Sequence, residues 1–224
     1  MPEVLVTIPA YNEQQSIGRV VREIKKVLTG IDHKVMVVSD GSTDNTELEA
    51  EMAGAKVFVK EHSGLAGTFR REMIEACNLQ PKIIVHTDAD GQYDPEDIPR
   101  LIREVGYGND LVLGSRLKGT IEKMPRTKQS INIIATFILR TWLRTDITDA
   151  TTGMRAFTPR VARLIMQSDY TYTIEQLIRA KRAGFKIISI PIRFHPRSDG
   201  NSRLMRNPLH YLWNTALNLR KMTR

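Results

Sequence analysis

A single cysteine, Cys77, leaves no partner for a disulfide within the chain and excludes a Cys-based zinc cluster. One thiol also fits a reducing compartment. No run of 18 apolar residues occurs, so no membrane-spanning helix is written in the sequence. The opening MPEVLVTIPAYNE lacks a basic start, and its apolar run has strand length and is broken by Pro9, so it does not read as a signal peptide. Internal repeats and low-complexity tracts are missing too. So are helix-turn-helix, zinc and RNP signatures, and no specific nucleic-acid partner is expected. A soluble or peripheral protein follows as the expectation.

What is present is globular. Of 224 residues, 41% are hydrophobic and 26% charged, which excludes wholesale disorder. The length corresponds to one large domain plus extras. The net charge of +8 points to anionic partners: nucleic acid, an acidic membrane surface or phosphorylated substrates.

Short apolar runs alternate with helical patterns through the first half. Strands are predicted over 4–8, 35–38, 57–59, 83–85 and 111–113. Helices are predicted over 17–28, 43–52, 68–79 and 95–105 between them. This alternation predicts an α/β fold with a mostly parallel sheet and helices on both faces. The second half reads as helices over 128–143, 159–166 and 174–183 and a strand over 187–190. In helix 128–143 the apolar side runs through Ile131, Ile134, Ile138 and Trp142. A basic loop over 193–206 and an amphipathic helix over 207–222 end the chain.

Three polar clusters fall at strand ends: Pro-Ala-Tyr-Asn-Glu (9–13), Ser-Asp-Gly-Ser-Thr-Asp (39–44) and Asp-Ala-Asp-Gly-Gln (88–92). Open α/β sheets bind ligands beyond the carboxyl ends of their strands. Each cluster alone reads as a turn with a helix cap; three at one sheet edge read as a site. Asp88-x-Asp90-x-Gln92 places oxygen ligands at alternating positions, chemistry suited to Mg²⁺ or Mn²⁺ with a pyrophosphate completing the shell. Neighbouring aspartates without a cation repel each other, which a metal relieves.

PAYNE, SDGSTDNT and DADGQYDPEDI, with SGLAGTFRREM (63–73) and GSRLKG (114–119), resemble the family 2 glycosyltransferases of GT-A fold. Within the family the resemblance is to dolichyl-phosphate mannose synthases and related polyprenyl-phosphate glycosyltransferases. It is close over 4–116 and looser to about 204. It implies a Rossmann-like GT-A domain over 1–192, with a nucleotide-sugar and metal half over 1–116 and an acceptor half over 117–192. Residues 193–224 follow as basic loop and terminal helix.

The resemblance also assigns roles. Pro9, Tyr11 and Glu13 would hold base and ribose, with Asp40 reading the base and Val38 in the same nucleotide site. Asp88 and Ala89 would lie beside the ribose, and Asp90 and Gln92 would ligate the metal. Asp149 in DATTGMRAF (149–157) falls in the acceptor segment, where Thr152 replaces a commoner serine. Arg116, Arg197 and Arg203 would serve the acceptor phosphate, Arg203 standing where the family has lysine. Asp90 and Asp149 complete the catalytic set.

The implied reaction is metal-dependent, inverting transfer of a sugar to dolichyl or polyprenyl phosphate. GDP-mannose is the favoured donor; UDP-glucose and UDP-N-acetylglucosamine remain open. A phosphomonoester already carries charge and needs no base to attack. A saccharide hydroxyl, the other acceptor considered, needs one, and Asp149 and Glu175 are the candidates. A nucleotidyltransferase is disfavoured, since Tyr-Asn-Glu stands where its Gly-rich loop would be. Residues 193–224 carry seven Lys and Arg against one Asp, so peripheral binding to the cytoplasmic face of a membrane, with a separate anchoring subunit, is expected.

Overall fold

The computed structural model describes residues 2–122, 124–168 and 171–197. The basic loop beyond residue 197, with Arg203 in it, and the helix over 207–222 lie outside the described residues. Strands β1 (Val4–Ala10), β2 (His33–Ser39), β3 (Lys56–Val59) and β4 (Ile83–His86) alternate with helices α1 (Ile17–Val27), α2 (Thr46–Met52) and α3 (Leu65–Leu79). A 3₁₀ turn (Pro95–Asp97) leads into α4 (Ile98–Gly106). Then come β5 (Leu111–Ile121), α5 (Arg126–Leu143), β6 (Arg155–Phe157), α6 (Pro159–Ala162), α7 (Tyr172–Arg182) and β7 (Ile187–Phe194).

The seven strands form one sheet in the order β3-β2-β1-β4-β6-β5-β7. All neighbours are parallel except β6, which runs antiparallel between β4 and β5. Every residue of β1 is buried, as a central strand covered on both faces requires. Val4, Val6 and Ile8 face a core shared with α1, α2 and α4, while Leu5 faces one shared with α3, α5, α6 and α7. The predicted α1 stripe of Ile17, Val20, Val21, Ile24 and Leu28 is buried as its spacing demands. The chain builds outward from β1 through β2 to β3, then crosses to β4 on the other flank of β1. That reversal opens a crevice at the carboxyl ends of β1 and β4.

Several elements depart from the sequence expectation, α6 among them, which ends at Ala162 and not at 166. Strand β6 is absent from that expectation, because three residues including a buried arginine show no alternation. Strands β5 and β7 run on to Ile121 and Phe194, so Arg193 belongs to the sheet and not to a loop. They pass closely at Gly119, where a Cβ would stand 1.8 Å from the Ile192 carbonyl oxygen. Helix α5 turns Asn132, Ala135, Thr136, Leu139 and Leu143 inward, and leaves exposed the apolar side read from the sequence at Ile134, Ile138 and Trp142, together with Phe137. The small inward residues let α5 lie close to the following segment, where Thr136 Oγ1 accepts the Ala150 N–H at 3.1 Å.

Under the crevice, Glu72 of α3 and His86 of β4 are fully buried. Glu72 Oε2 lies 3.1 Å from His86 Nδ1 without hydrogen-bond geometry, and neither carboxyl oxygen has a hydrogen-bond partner. His86 Nε2 meets the Tyr172 hydroxyl at 3.2 Å. Burial, then Asp88, pushes the Glu72 carboxyl well above its ordinary range; burial pushes His86 down to about 3. His86 is therefore neutral at pH 7, and burial favours the protonated, neutral form of Glu72. A carboxyl with a higher pKa folded than unfolded binds its proton more tightly in the native state. Its contribution to stability is full below the unfolded value, near 4.5, and is lost as pH rises through the folded value. Glu72→Gln fixes the neutral form at nearly unchanged volume. Its melting temperature is expected to exceed that of the parent by about 2–6 °C at pH 8 and to match it at pH 4.

Candidate active site

The loop after β1 turns at Asn12, whose φ of 53° is left-handed. Asn12 Oδ1 accepts the Thr43 N–H at 2.7 Å, and its own N–H donates to Ser42 Oγ at 3.1 Å. The Glu13 N–H donates to Thr46 Oγ1 at 2.7 Å. The first two polar clusters are thereby tied into one wall. Asp40, buried at the end of β2, accepts from Lys60 Nζ and from the Ser63 and Gly64 N–H groups, both at 2.9 Å. Burial alone would raise its carboxyl, but these donors outweigh it and hold the pKa below the usual value. Asp40 so fixes the loop leading to α3. His62 Nδ1 lies 3.0 Å from its carbonyl, and the His62 ring packs on Tyr11 with centroids 4.5 Å apart.

These walls enclose a cleft of about 410 Å³. Pro9, Tyr11, Glu13, Asp40 and His62 line one side, and Asp88, Ala89, Asp90 and Gln92 the floor. Arg116, Lys128, Phe194 and Arg197 form the far side. The Asp88 carboxylate has no hydrogen-bond or ion-pair partner among the described residues. It packs so tightly against Gly153 that a Cβ there would lie 2.7 Å from Oδ1. Burial, then the charge of Asp90, pushes Asp88 up to about 6. Burial raises Asp90 as well, against the Gln92 N–H, which donates to its Oδ1 at 3.1 Å. The Gln92 side-chain Nε2 donates to the His195 carbonyl at 3.3 Å, leaving Oε1 as the free acceptor of that amide.

Across the cleft, Asp149 is engaged rather than free. Arg116 Nε and Nη2 bind its two carboxylate oxygens at 2.7 and 2.9 Å, and both side chains are buried. Burial works against the Arg116 charge, but Tyr93 and Asp149 outweigh it and raise the pKa. Arg116 Nη1 makes no hydrogen bond among the described residues. Glu175 is also occupied, by Arg179 at 2.7 Å and by the Gln167 and Ser168 N–H groups. Lys128, in the first turn of α5, has no carboxylate within ion-pair distance among the described residues; burial, then Arg116, lowers its pKa. Tyr93 links the two sides: its hydroxyl accepts the Gly153 N–H at 2.7 Å.

Of the residues singled out from sequence, Pro9, Tyr11, Glu13, Asp40, Asp88, Ala89, Asp90, Gln92, Arg116 and Arg197 line the cleft. Asp149 stands behind Arg116. Val38 does not reach the cleft; its side chain is fully buried in the core under α3. Sequence reasoning missed His62, Tyr93, Lys128 and Phe194. It also missed Gly64, Leu65 and Thr68, which reach the cleft because α3 begins at Leu65, earlier than the expected Thr68. Charge was the only signal at Lys128, a cation opening an apolar helix.

Comparison with known proteins bears on the family and the fold. The model of Glycosyl transferase family 2 matches residues 5–165. A dolichyl-phosphate hexose transferase of Haloferax volcanii is 32% identical over 205 residues, spanning 90% of this chain and 86% of the relative. A dolichol-phosphate mannosyltransferase of Pyrococcus furiosus is 30% identical over 211 residues, spanning 90% of this chain and 59% of the relative. Among solved structures, glucosyl-3-phosphoglycerate synthase of Mycobacterium tuberculosis, in complex with Mn²⁺, UDP-glucose and phosphoglyceric acid, superposes with a TM-score of 0.72. It is 22% identical, covering 96% of this chain and 79% of the other, and shares the fold. The chain therefore belongs to glycosyl transferase family 2 and is a glycosyltransferase of GT-A fold.

Proposed function

We propose that the protein transfers a sugar from a nucleotide-sugar donor, GDP-mannose in the favoured case, to a polyprenyl or dolichyl phosphate, with inversion and with a divalent cation. The observation that carries the acceptor is the state of the candidate bases. Asp149 and Glu175 are both buried and held by arginines, so neither is free to deprotonate a hydroxyl. Lys128, Arg116 Nη1 and Arg197 instead give the cleft cationic donors for a phosphate. The names of the Haloferax and Pyrococcus relatives support the same acceptor class.

The residues fit a hard cation. Asp88 and Asp90 place two carboxylates at one edge, Asp88 without a partner among the described residues, and burial, then repulsion from Asp90, raises the Asp88 pKa. Among the described residues no three His, Cys, Asp or Glu side chains converge, and a bound cation would take the rest of its shell from diphosphate and water. Asp90 and Gln92 Oε1 would hold the ion, which when bound neutralises charge on the departing diphosphate. Tyr11 offers a stacking face to the base, and Glu13 an acceptor for ribose hydroxyls. Lys128 and Arg116 orient the acceptor phosphate oxygen behind the anomeric carbon. The new C–O bond forms there as the bond to the diphosphate breaks opposite, and the configuration inverts.

Helix α5 borders the cleft through Lys128 and exposes Ile134, Phe137, Ile138 and Trp142, with Phe137 67% exposed. No described helix is long and apolar enough to cross a membrane. The exposed stripe, flanked by Arg126 and Arg144, suits the headgroup region of an anionic bilayer and would bring a lipid phosphate to the cleft. One experiment tests these points together. Purified protein with Mn²⁺ and dolichyl phosphate receives labelled GDP-mannose, UDP-glucose and UDP-N-acetylglucosamine in parallel, and flotation with anionic vesicles is measured on the same preparation. Label is expected in the organic phase, lost on adding EDTA, and the protein is expected to float. Nucleotide binding without lipid labelling would overturn the acceptor assignment, and absence of flotation the surface assignment.

A further inference from the structure

The segment after β7 is laced to the loop that carries Asp90. Phe194 bridges Tyr93. The His195 N–H donates to the Gln92 carbonyl at 2.7 Å. The His195 ring lies between Asp94 Oδ2 at 3.3 Å and Glu122 Oε1 at 2.8 Å. Arg193 Nε adds an ion pair to Asp94 at 3.0 Å. These contacts fix where the chain stands two residues before Arg197. From that anchor the Arg197 guanidinium crosses the cleft, donates to the Glu13 carboxylate, and lies 3.9 Å from Asp90 Oδ2. Carboxylates from two different strand ends thus share one guanidinium.

We infer that Arg197 is the internal counter-cation of the donor side of the cleft, and that it competes with a divalent cation for Asp90. The inference rests on the metal reading proposed above and goes beyond it. Glu13, Asp88 and Asp90 concentrate negative charge in the cleft, and Arg197 is the cation within ion-pair distance of Asp90 among the described residues. A guanidinium and a dication on one carboxylate repel strongly at such separations, even in a partly solvated cleft. Each therefore weakens the other's hold. Loading of the donor side releases Arg197 from Asp90, and the freed guanidinium becomes available to the acceptor phosphate. Arg197 so has two opposed effects. Its loss tightens the metal in the ligand-free enzyme and weakens the phosphorylated acceptor. A side chain that only packed would not produce the first of these.

Mn²⁺ binding by the full chain without nucleotide, followed by the EPR signal of the free ion, tests this. Arg197→Gln is expected to bind Mn²⁺ about three- to tenfold more tightly than the parent. Arg197→Lys retains the charge and is expected to stay within about twofold. Adding Asp90→Asn to Arg197→Gln is expected to abolish binding, which locates the ion. Equal or weaker affinity in Arg197→Gln, or Arg197→Lys binding as tightly as Arg197→Gln, overturns the proposal and leaves the metal reading standing. No Mn²⁺ binding by either protein, with or without GDP or UDP, overturns both.

Discussion

Asp90→Ala is expected to lower sugar transfer by about a thousandfold while moving the melting temperature by less than about 2 °C. The two halves of that result have separate causes. The Asp90 carboxylate sits on a loop beyond β4, accepts one backbone N–H from Gln92, and is raised in pKa by burial. Its removal deletes a charge the fold holds at a cost, so stability barely changes. On the metal reading proposed above, catalysis loses the carboxylate that would hold the cation, and Gln92 offers only a neutral oxygen in its place. Label transfer to the organic phase and a thermal melt on one sample separate the effects. Full transfer by the variant would remove Asp90 from the metal site.

The second large effect is on stability. Arg116→Ala or Asp149→Ala leaves a buried charge without its partner, and such losses cost about 3–5 kcal/mol. A domain of this size loses about 2–4 °C per kcal/mol, so each single variant is expected to melt about 6–20 °C lower. Arg116→Met combined with Asp149→Leu removes both charges and is expected to recover much of the loss, since the pair's desolvation cost disappears with it. Melting curves of the three variants check this. Asp149→Ala melting like the parent would mean that its carboxylate is not committed to Arg116 and is available as a base.

Much of the site was legible because its chemistry clusters at strand ends. Pro9 to Glu13, Asp40 and Asp88 to Gln92 each follow an apolar run, and a parallel sheet gathers such ends at one edge. The far side was less legible because it depends on pairing between distant segments. Arg116 and Asp149 meet only once β6 has placed the 149–153 turn beside β5, and neither residue advertises the other. Lys128 belongs to a helix whose apolar side runs through Ile134 and Ile138, and the sequence does not say whether that side packs on the core or faces outward. Periodicity gave the helix correctly, and the packing against Ala150 selected the face with Ala135 and Thr136. Val38 shows the converse: it adjoins a site motif, yet strand alternation points it into the core.

The position of β6 also bears on how the chain can be divided. It is a three-residue strand from the latter part of the sequence, and it is the sole neighbour that joins β4 to β5. A fragment ending at residue 116 would keep β4 and the first half of β5 but lose the strand that lies between them and, with β7, the other flank of β5. Both would present unpaired apolar edges, the condition that drives strand-to-strand aggregation. Separately expressed pieces would thus be expected to recover soluble protein only when made together, with the later piece threading its short strand into the gap left by the earlier one.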